Sequence, residues 1–515
     1  MKAIFEKLLN NIPDYKVFLT PDELDQSSRD LAARYPDVVS LSTIGQTKEG
    51  KDLLCLKIGQ GSKNALMFGC PHPNEPIGTM MLEYFTQALA EQADLRAEFD
   101  YTWYVVKAWD RDGLERNQGW LKGPFTTYNY SKHFFRPAGH QQVEWTFPIH
   151  YKDLNFDKPL PETRAMMQLI DKIQPDFIYS LHNAGFGGAY WYLTHQLPEA
   201  RYEALRQAAD RVKVPLHLGE PEMPYLQPLS PAIYPNLSIS KDYDYLEKYG
   251  ATDIAEKIKV GDSSAAYASK YGSFTLLAEL PYFYDPRIMD QSPTDMTRKD
   301  AILYQLDQSE KSNAYIQSIL EATAGLSRED SQYRMALVAF SKNDYNESTR
   351  KMVEEAEYQR PATEAELLDS VHLSPFYKSL SYGMATRMCQ EALEEWQAKA
   401  AKLEAGSETA GHEAAKLEAA GSKATMLEAT DVAGQAVADV DYEADVDVEQ
   451  VQAAVRKLTD LVASCATAHA ELDKENADAL HYSVVPIHDL VSIQLESGLI
   501  VLDALKNGEA KALDA

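Results

Sequence analysis

His72 and Glu75 stand three residues apart in His72-Pro-Asn-Glu75, directly after the apolar run Ala65-Leu-Met-Phe-Gly-Cys70. An imidazole and a carboxylate at the end of a rigid strand are suited to ligating one zinc ion. The pattern alone is weak, since roughly one His-x-x-Glu is expected by chance in a chain with this many histidines. Indeed a second one exists, His217-Leu-Gly-Glu220. Context separates the two. The first follows a buried-looking strand and precedes a helix-like segment, Ile77 to Phe85, and ligands in open α/β sheets gather beyond the carboxyl ends of strands. His217 leads into the proline-rich Glu220-Pro-Glu-Met-Pro loop and reads as a structural or rim residue.

A catalytic zinc usually takes three protein ligands and keeps one position open for water. His182 is the third candidate. It ends the apolar run Asp176-Phe-Ile-Tyr-Ser-Leu-His182, and Asn183-Ala-Gly-Phe-Gly-Gly188 then breaks the strand. Glu279 is a fourth, near the end of Ser273-Phe-Thr-Leu-Leu-Ala-Glu-Leu-Pro281. A carboxylate buried there costs several kcal/mol unless it is paired, protonated or beside a metal. A general base for a zinc-activated water belongs in such a place; the plainer alternative is a salt bridge to an arginine such as Arg287.

These residues need a scaffold, and the first 325 residues supply one. Strand-like runs cover Asp52–Ile58, Ala65–Cys70, Tyr101–Trp109, Asp176–His182, Ala189–Leu193 and Ser273–Leu280. Helix-like runs cover Pro21–Tyr35, Ile77–Ala93, Pro161–Ile173, Ala200–Val212 and Arg298–Ala324. Apolar strands alternating with helices predict an α/β fold with a mixed, largely parallel central sheet flanked by helices. Residues 326–515 predict an all-α C-terminal region, with helical periodicity over roughly Arg328–Gln359, Pro361–Leu403 and Val448–Lys506. A low-complexity connector is expected around 404–447. There Ala401-Lys-Leu-Glu-Ala-Gly-Ser407 recurs as Ala415-Lys-Leu-Glu-Ala-Ala-Gly-Ser422, and Asp431 to Glu449 carries seven acids and no base. This composition fits a solvated, partly disordered linker. His412, His469, His481 and His488 of the helical region are too scattered for a metal site and read as surface or packing residues.

The chain has 515 residues, more than one ordinary core, and a formal net charge of −28. Residues 326–515 hold 17 basic and 35 acidic residues, so the helical region carries most of that excess. So acidic a surface repels phosphate backbones and anionic lipid, which argues against nucleic-acid or membrane partners. The four cysteines form no Cys-x-x-Cys pair and fit reduced thiols. With no basic-then-apolar opening and no apolar run of membrane-spanning length, a cytoplasmic location is expected. The helical region could serve as an oligomer or protein-partner surface.

The ordered set His72, Glu75, His182, Glu279 resembles the zinc carboxypeptidases, the carboxypeptidase A-like metallopeptidases. Ile44 to Asp52 looks like the family's early turn, Trp109-Asp-Arg-Asp-Gly113 is similar to its Asn-Pro-Asp-Gly turn, and Pro161-Glu-Thr-Arg-Ala165 resembles the start of its next helix. The likeness covers roughly residues 20–320. It implies Zn2+ bound by His72, Glu75 and His182, with Glu279 as general base and then acid. It implies an oxyanion-holding arginine, best matched by Arg136 in Phe134-Phe-Arg136, with Arg111 and Arg116 as rivals. The family's Asn-Arg pair for the substrate carboxylate falls near Asp153-Leu-Asn-Phe156. Asn155 matches, but Phe156 stands where the arginine should be. Asn74 occupies the place of another substrate-binding arginine. The specificity-pocket floor falls near Val260-Gly-Asp-Ser263, where Asp262 would favour a basic residue. The family's mobile tyrosine has Tyr267 and Tyr271 as its nearest counterparts. Tyr190-Trp-Tyr192 and Tyr282-Phe-Tyr284 are candidate pocket walls.

The resemblance implies a metallocarboxypeptidase that hydrolyses a C-terminal peptide or amide bond. The missing arginine keeps a second expectation open, a zinc amidohydrolase or deacylase acting on a small acylated amino acid or a cell-wall-type peptide; desuccinylase and aspartoacylase relatives also carry His-x-x-Glu. A third is a non-catalytic peptide-binding module.

Overall fold

A computed structural model describes residues 2–421 and 448–513. Eight strands form the central sheet: β1 Val39–Gln46, β2 Asp52–Ile58, β3 Lys63–Gly69, β4 Tyr101–Val106, β5 Phe177–Leu181, β6 Tyr190–Leu193, β7 Ile233–Pro235 and β8 Phe274–Glu279. Their order is β1-β2-β4-β3-β5-β8-β6-β7. The inner strands β4, β3, β5 and β8 run parallel. Antiparallel pairings join β1 to β2, β2 to β4 and β8 to β6. The sheet is therefore mixed around a parallel centre, as expected.

The principal helices are α1 Pro21–Arg34, α2 Ile77–Glu91, α3 Thr127–His133, α4 Pro161–Ile173, α5 Glu199–Arg211, α6 Arg298–Ala322, α7 Ser374–Gly421, α8 Val448–Ala479 and α9 Ile487–Lys506. Local chemistry sets their starts. Thr20 and Glu23 form a capping box ahead of Pro21, and Pro161 opens α4.

Strands β3, β5 and β8 are almost wholly buried because both sheet faces are covered. One face packs Met67, Tyr179, Leu181, Trp191 and Leu276 into the larger core. The other packs Leu66, Phe68 and Ile178 against Met166 and Ile170 of α4. Gly78 lets α2 approach the sheet closely, since a Cβ there would lie 2.4 Å from the Leu181 Cβ. That approach sets the start of α2, and the loop before it, directly behind the strand ends.

The helical region lies on this body. Helix α9 is buried along most of its length: Gly498 abuts the Tyr179 ring, and Ser497 accepts from the Trp191 indole at 2.9 Å. Helix α7 packs on α3, where Gly383 meets the Ser131 carbonyl.

Several expected boundaries are corrected. Helix α7 runs through 421, so residues 404–421 are helix rather than connector; the rest of the expected connector, 422–447, lies outside the described residues, as does the His412 side chain. The run expected as one helix over Val448–Lys506 is two, separated by Leu480 to Pro486, because proline cannot continue the ladder. Short strands also interrupt the helical region and pair back: Pro361–Thr363 with Pro293–Thr297, Ser483–Val484 with Phe283–Tyr284, and Lys511–Ala512 with His195–Gln196. Among the described residues no helix is long and apolar enough to cross a membrane. All four cysteines are free and buried.

Candidate metal centre and active site

Three adjacent parallel strands deliver the chemistry to one edge. Gly69 of β3 and Ala278 of β8 both align with Leu181 of β5. His182 and Glu279 each follow that row by one residue. After β3 the chain turns sharply: Cys70 adopts φ 55°, in the left-handed region that few non-glycine residues enter. The turn places His72 and Glu75 over the end of β5.

His72, Glu75 and His182 each offer a ligand atom, all within 4.8 Å of one another, and all three residues are buried. His182 Nδ1 lies 3.0 Å from Glu75 Oε2, and the two imidazole rings are 5.0 Å apart. The other nitrogen of His182, Nε2, lies 2.8 Å from Ser180 Oγ, which fixes the ring so that Nδ1 faces Glu75. His72 Nδ1 is buried without a hydrogen-bond partner. Burial, with the charges of Arg136 and His182 nearby, lowers the His72 pKa well below that of an ordinary histidine. A neutral imidazole with an orphaned nitrogen, facing a carboxylate and a second imidazole, is a donor set that fits zinc.

Glu279 stands beside this cluster, with Oε1 3.6 Å from His182 Nδ1. It is 7% exposed. Burial raises its pKa well above the carboxylate range, and Glu75 and Glu222 push the same way against Arg136. Arg287 pairs instead with Asp285 at 2.7 Å, so the salt-bridge alternative for Glu279 does not hold.

Arg136 reaches the cluster, donating from Nη1 to Glu75 Oε1 at 3.1 Å, while its Nε donates to Gln142 at 3.3 Å. Its rivals are engaged elsewhere, Arg111 with Asp22 and Asp25, and Arg116 with Glu49. Asn74 lines the cleft: its Nδ2 donates to Tyr130 Oη at 3.2 Å and its Oδ1 is buried without a partner.

Other expectations fail on geometry. Asn155 does not line the cleft. It is exposed on a hairpin, Ile149–Tyr151 with Leu154–Phe156, and pairs with His150. Asp262 is buried but accepts from the Ser263 amide at 2.9 Å, and Ser263 rather than Asp262 faces the cleft. Tyr267 and Tyr271 both donate to Asp171, away from the site. Of the aromatic candidates, Tyr190 and Tyr192 line the cleft, whereas Trp191 and Tyr282 are buried behind it.

Residues 24–272 match the family model described as zinc carboxypeptidase. This stretch is a zinc carboxypeptidase-family domain. It contains His72, Glu75 and His182; the strand ending in Glu279 lies just beyond the match, and the sheet brings it back to the site. The domain has the carboxypeptidase-like fold. Solved structures similar to this chain include carboxypeptidase A from Helicoverpa armigera, at 13% identity over 54% of this chain and 71% of that one, with a TM-score of 0.35. A metallo-carboxypeptidase from Burkholderia cenocepacia matches at 15% identity over 53% and 62%, TM-score 0.31. The murein-tripeptide amidase MpaA from Escherichia coli O157 matches at 18% identity over 47% and 83%, TM-score 0.24.

The carboxypeptidase-family domain does not build its cleft alone. The cavity, about 790 Å³, is also walled by residues of the helical region, among them Phe340, Met352, Tyr358, Asp369, Tyr377 and Met384. Sequence reasoning missed these. It also missed Glu144 and Glu222 in the wall, and Gln494 of α9, whose amide donates to the His182 carbonyl at 3.1 Å.

Proposed function

We propose that this protein is a zinc-dependent hydrolase of peptide or amide bonds. One observation carries the reading: a fourth buried residue, the acid Glu279, lies beside the His72–Glu75–His182 cluster, 3.6 Å from one of its imidazoles, yet outside the ligand set. A structural metal site closes its coordination with protein ligands, whereas a catalytic one keeps a neighbouring base.

His72, Glu75 and His182 would hold the ion. When bound, zinc lowers the pKa of water toward ~7 and polarises a carbonyl. Glu279, buried beside the cluster, would take the proton of the attacking water and pass it to the leaving amine. Arg136 donates to the oxygen that becomes negative as the carbonyl is attacked. Asn74 offers the substrate a buried acceptor at the same edge.

The metallocarboxypeptidase reading needs a cation for the terminal carboxylate. Among the residues lining the cleft, the two arginines already contact acids: Arg136 meets Glu75, and Arg298 meets Glu220 at 2.6 Å. With Asn155 outside, this favours a second reading, an amidohydrolase whose substrate lacks a simple α-carboxylate at that point. Peptides with free, amidated and γ-linked C-termini, together with N-acyl amino acids, separate the two. Turnover of free C-termini alone supports the carboxypeptidase, and turnover of the blocked, γ-linked or acyl substrates supports the amidohydrolase. One bound zinc without hydrolysis of any of them would overturn both in favour of a peptide-binding module.

A further inference from the structure

The cleft is lined by more acids than the proposed chemistry uses. Asp369 faces His217 at 3.4 Å, and Glu220 is held by Arg298. Glu144 and Glu222 have no cationic partner among the described residues. Glu222 is exposed, and its two oxygens accept from Tyr190 and Tyr192 at 2.6 and 2.9 Å. Glu144 is different. It is 2% exposed, and Oε1 accepts from both the amide and the hydroxyl of Ser264, at 3.0 and 2.8 Å. Its Oε2 is buried and has no partner. An ionisable oxygen held still, desolvated and unpaired in a cleft wall is costly unless something fills it.

We infer that Glu144 is a specificity-determining residue whose free oxygen receives an ammonium group of the substrate beside the metal centre. The inference rests on the proposed hydrolase reading for its setting. Its chemistry follows from the wall itself. Ser264 occupies one carboxylate oxygen and orients the other. No ion pair in the wall neutralises it, so an incoming ammonium supplies both the missing hydrogen bond and a direct counter-charge. Burial pushes the Glu144 carboxyl up to about 7, against the pull of His182 and Ser264, so a bound cation also favours its ionised form. The ammonium has two possible sources, a basic side chain or the free amino end of a short peptide.

The test uses the full-length zinc-loaded protein carrying Glu279→Gln, so that bound peptides persist. Calorimetry compares acetyl-alanyl-norleucine, which has no ammonium, with alanyl-norleucine and acetyl-alanyl-lysine, which carry it at the amino end and the side chain respectively. One of the two binds about 10- to 100-fold tighter than the neutral peptide, the range of a charge-assisted hydrogen bond. Adding Glu144→Gln, which keeps the Ser264 contacts, abolishes that gain. Equal binding of all three peptides overturns the inference, and this comparison needs no Glu144 variant to fold. A gain that survives Glu144→Gln also overturns it. Turnover of the same peptides by the unsubstituted protein is read separately. A Glu144-dependent ammonium gain without hydrolysis supports the inference and counts against the hydrolase reading alone.

Discussion

Gln494 donates its side-chain amide to the backbone carbonyl of His182 at 3.1 Å, tying the last long helix of the chain to a candidate zinc ligand. Its own backbone carbonyl accepts from Tyr179 Oη at 2.8 Å, so α9 grips β5 twice just below the metal cluster. Replacing Gln494 by Leu leaves the His182 carbonyl unpaired in a dry setting, at about 1–3 kcal/mol. The expected result is a lower melting temperature and zinc affinity weaker by roughly 10-fold, read by competition with a chromogenic chelator. Unchanged zinc affinity would show that α9 only covers the sheet.

Ser180 acts on the same ligand from the other side. Its hydroxyl, 2.8 Å from His182 Nε2, sets which nitrogen faces Glu75. Ser180→Ala should weaken zinc binding about 10- to 100-fold while the fold survives, because the cavity left is only one hydroxyl. Zinc content after dialysis against a graded chelator series checks this.

Arg136→Gln should lower kcat by about 10²–10³-fold if the guanidinium stabilises developing negative charge. Zinc stoichiometry should hold, since Arg136 touches Glu75 without belonging to the ligand set. A rise in KM with kcat unchanged would instead assign Arg136 to ground-state binding.

His469 gives the docking of α8 a pH signature. It is 2% exposed, stacks on Tyr128 at 5.0 Å and lies 2.8 Å from Ser131 Oγ of α3. Burial, with Lys132 nearby, lowers its pKa to about 4. The unfolded chain therefore binds this proton more readily than the folded one. The neutral ring contributes stability above pH ~6.5 that is lost as pH falls toward about 4, on the order of 3 kcal/mol. Chemical denaturation at pH 7.5 and 4.5 should show that loss in the native protein and a smaller one in His469→Gln. Equal losses would place the acid sensitivity elsewhere.

The chemistry at the strand ends was legible because each group closes an apolar, β-rich run. Parallel pairing then aligns those ends without further information, as the Gly69, Leu181 and Ala278 register shows. Asn155 was misplaced for a local reason. Lys152 takes φ 53°, and the chain folds back at Lys152-Asp153 into a tight hairpin that carries Asn155 outward. A motif match alone carries no such turn. The helical region announced its periodicity but not the surface it covers, since an apolar stripe does not name its partner. Gln494 is one of several polar residues in the run Leu490 to Leu505, beside Ser492, Glu496, Ser497 and Asp503, so the sequence did not single it out as the one that meets the His182 backbone. Glu144 gave no hint at all: in Val143-Glu-Trp145 it looks like any surface acid, and only Ser264, 120 residues on, fixes its position in the cleft wall.

In the proposed hydrolase, Glu279 is a base beside the metal and not a ligand to it. Glu279→Gln in the zinc-loaded protein tests this most directly, with metal content and single-turnover hydrolysis measured on one sample. The expected result is one zinc per chain, as in the unsubstituted protein, and near-abolished turnover. A Gln variant that hydrolyses at the unsubstituted rate, or one that loses its zinc, would contradict it.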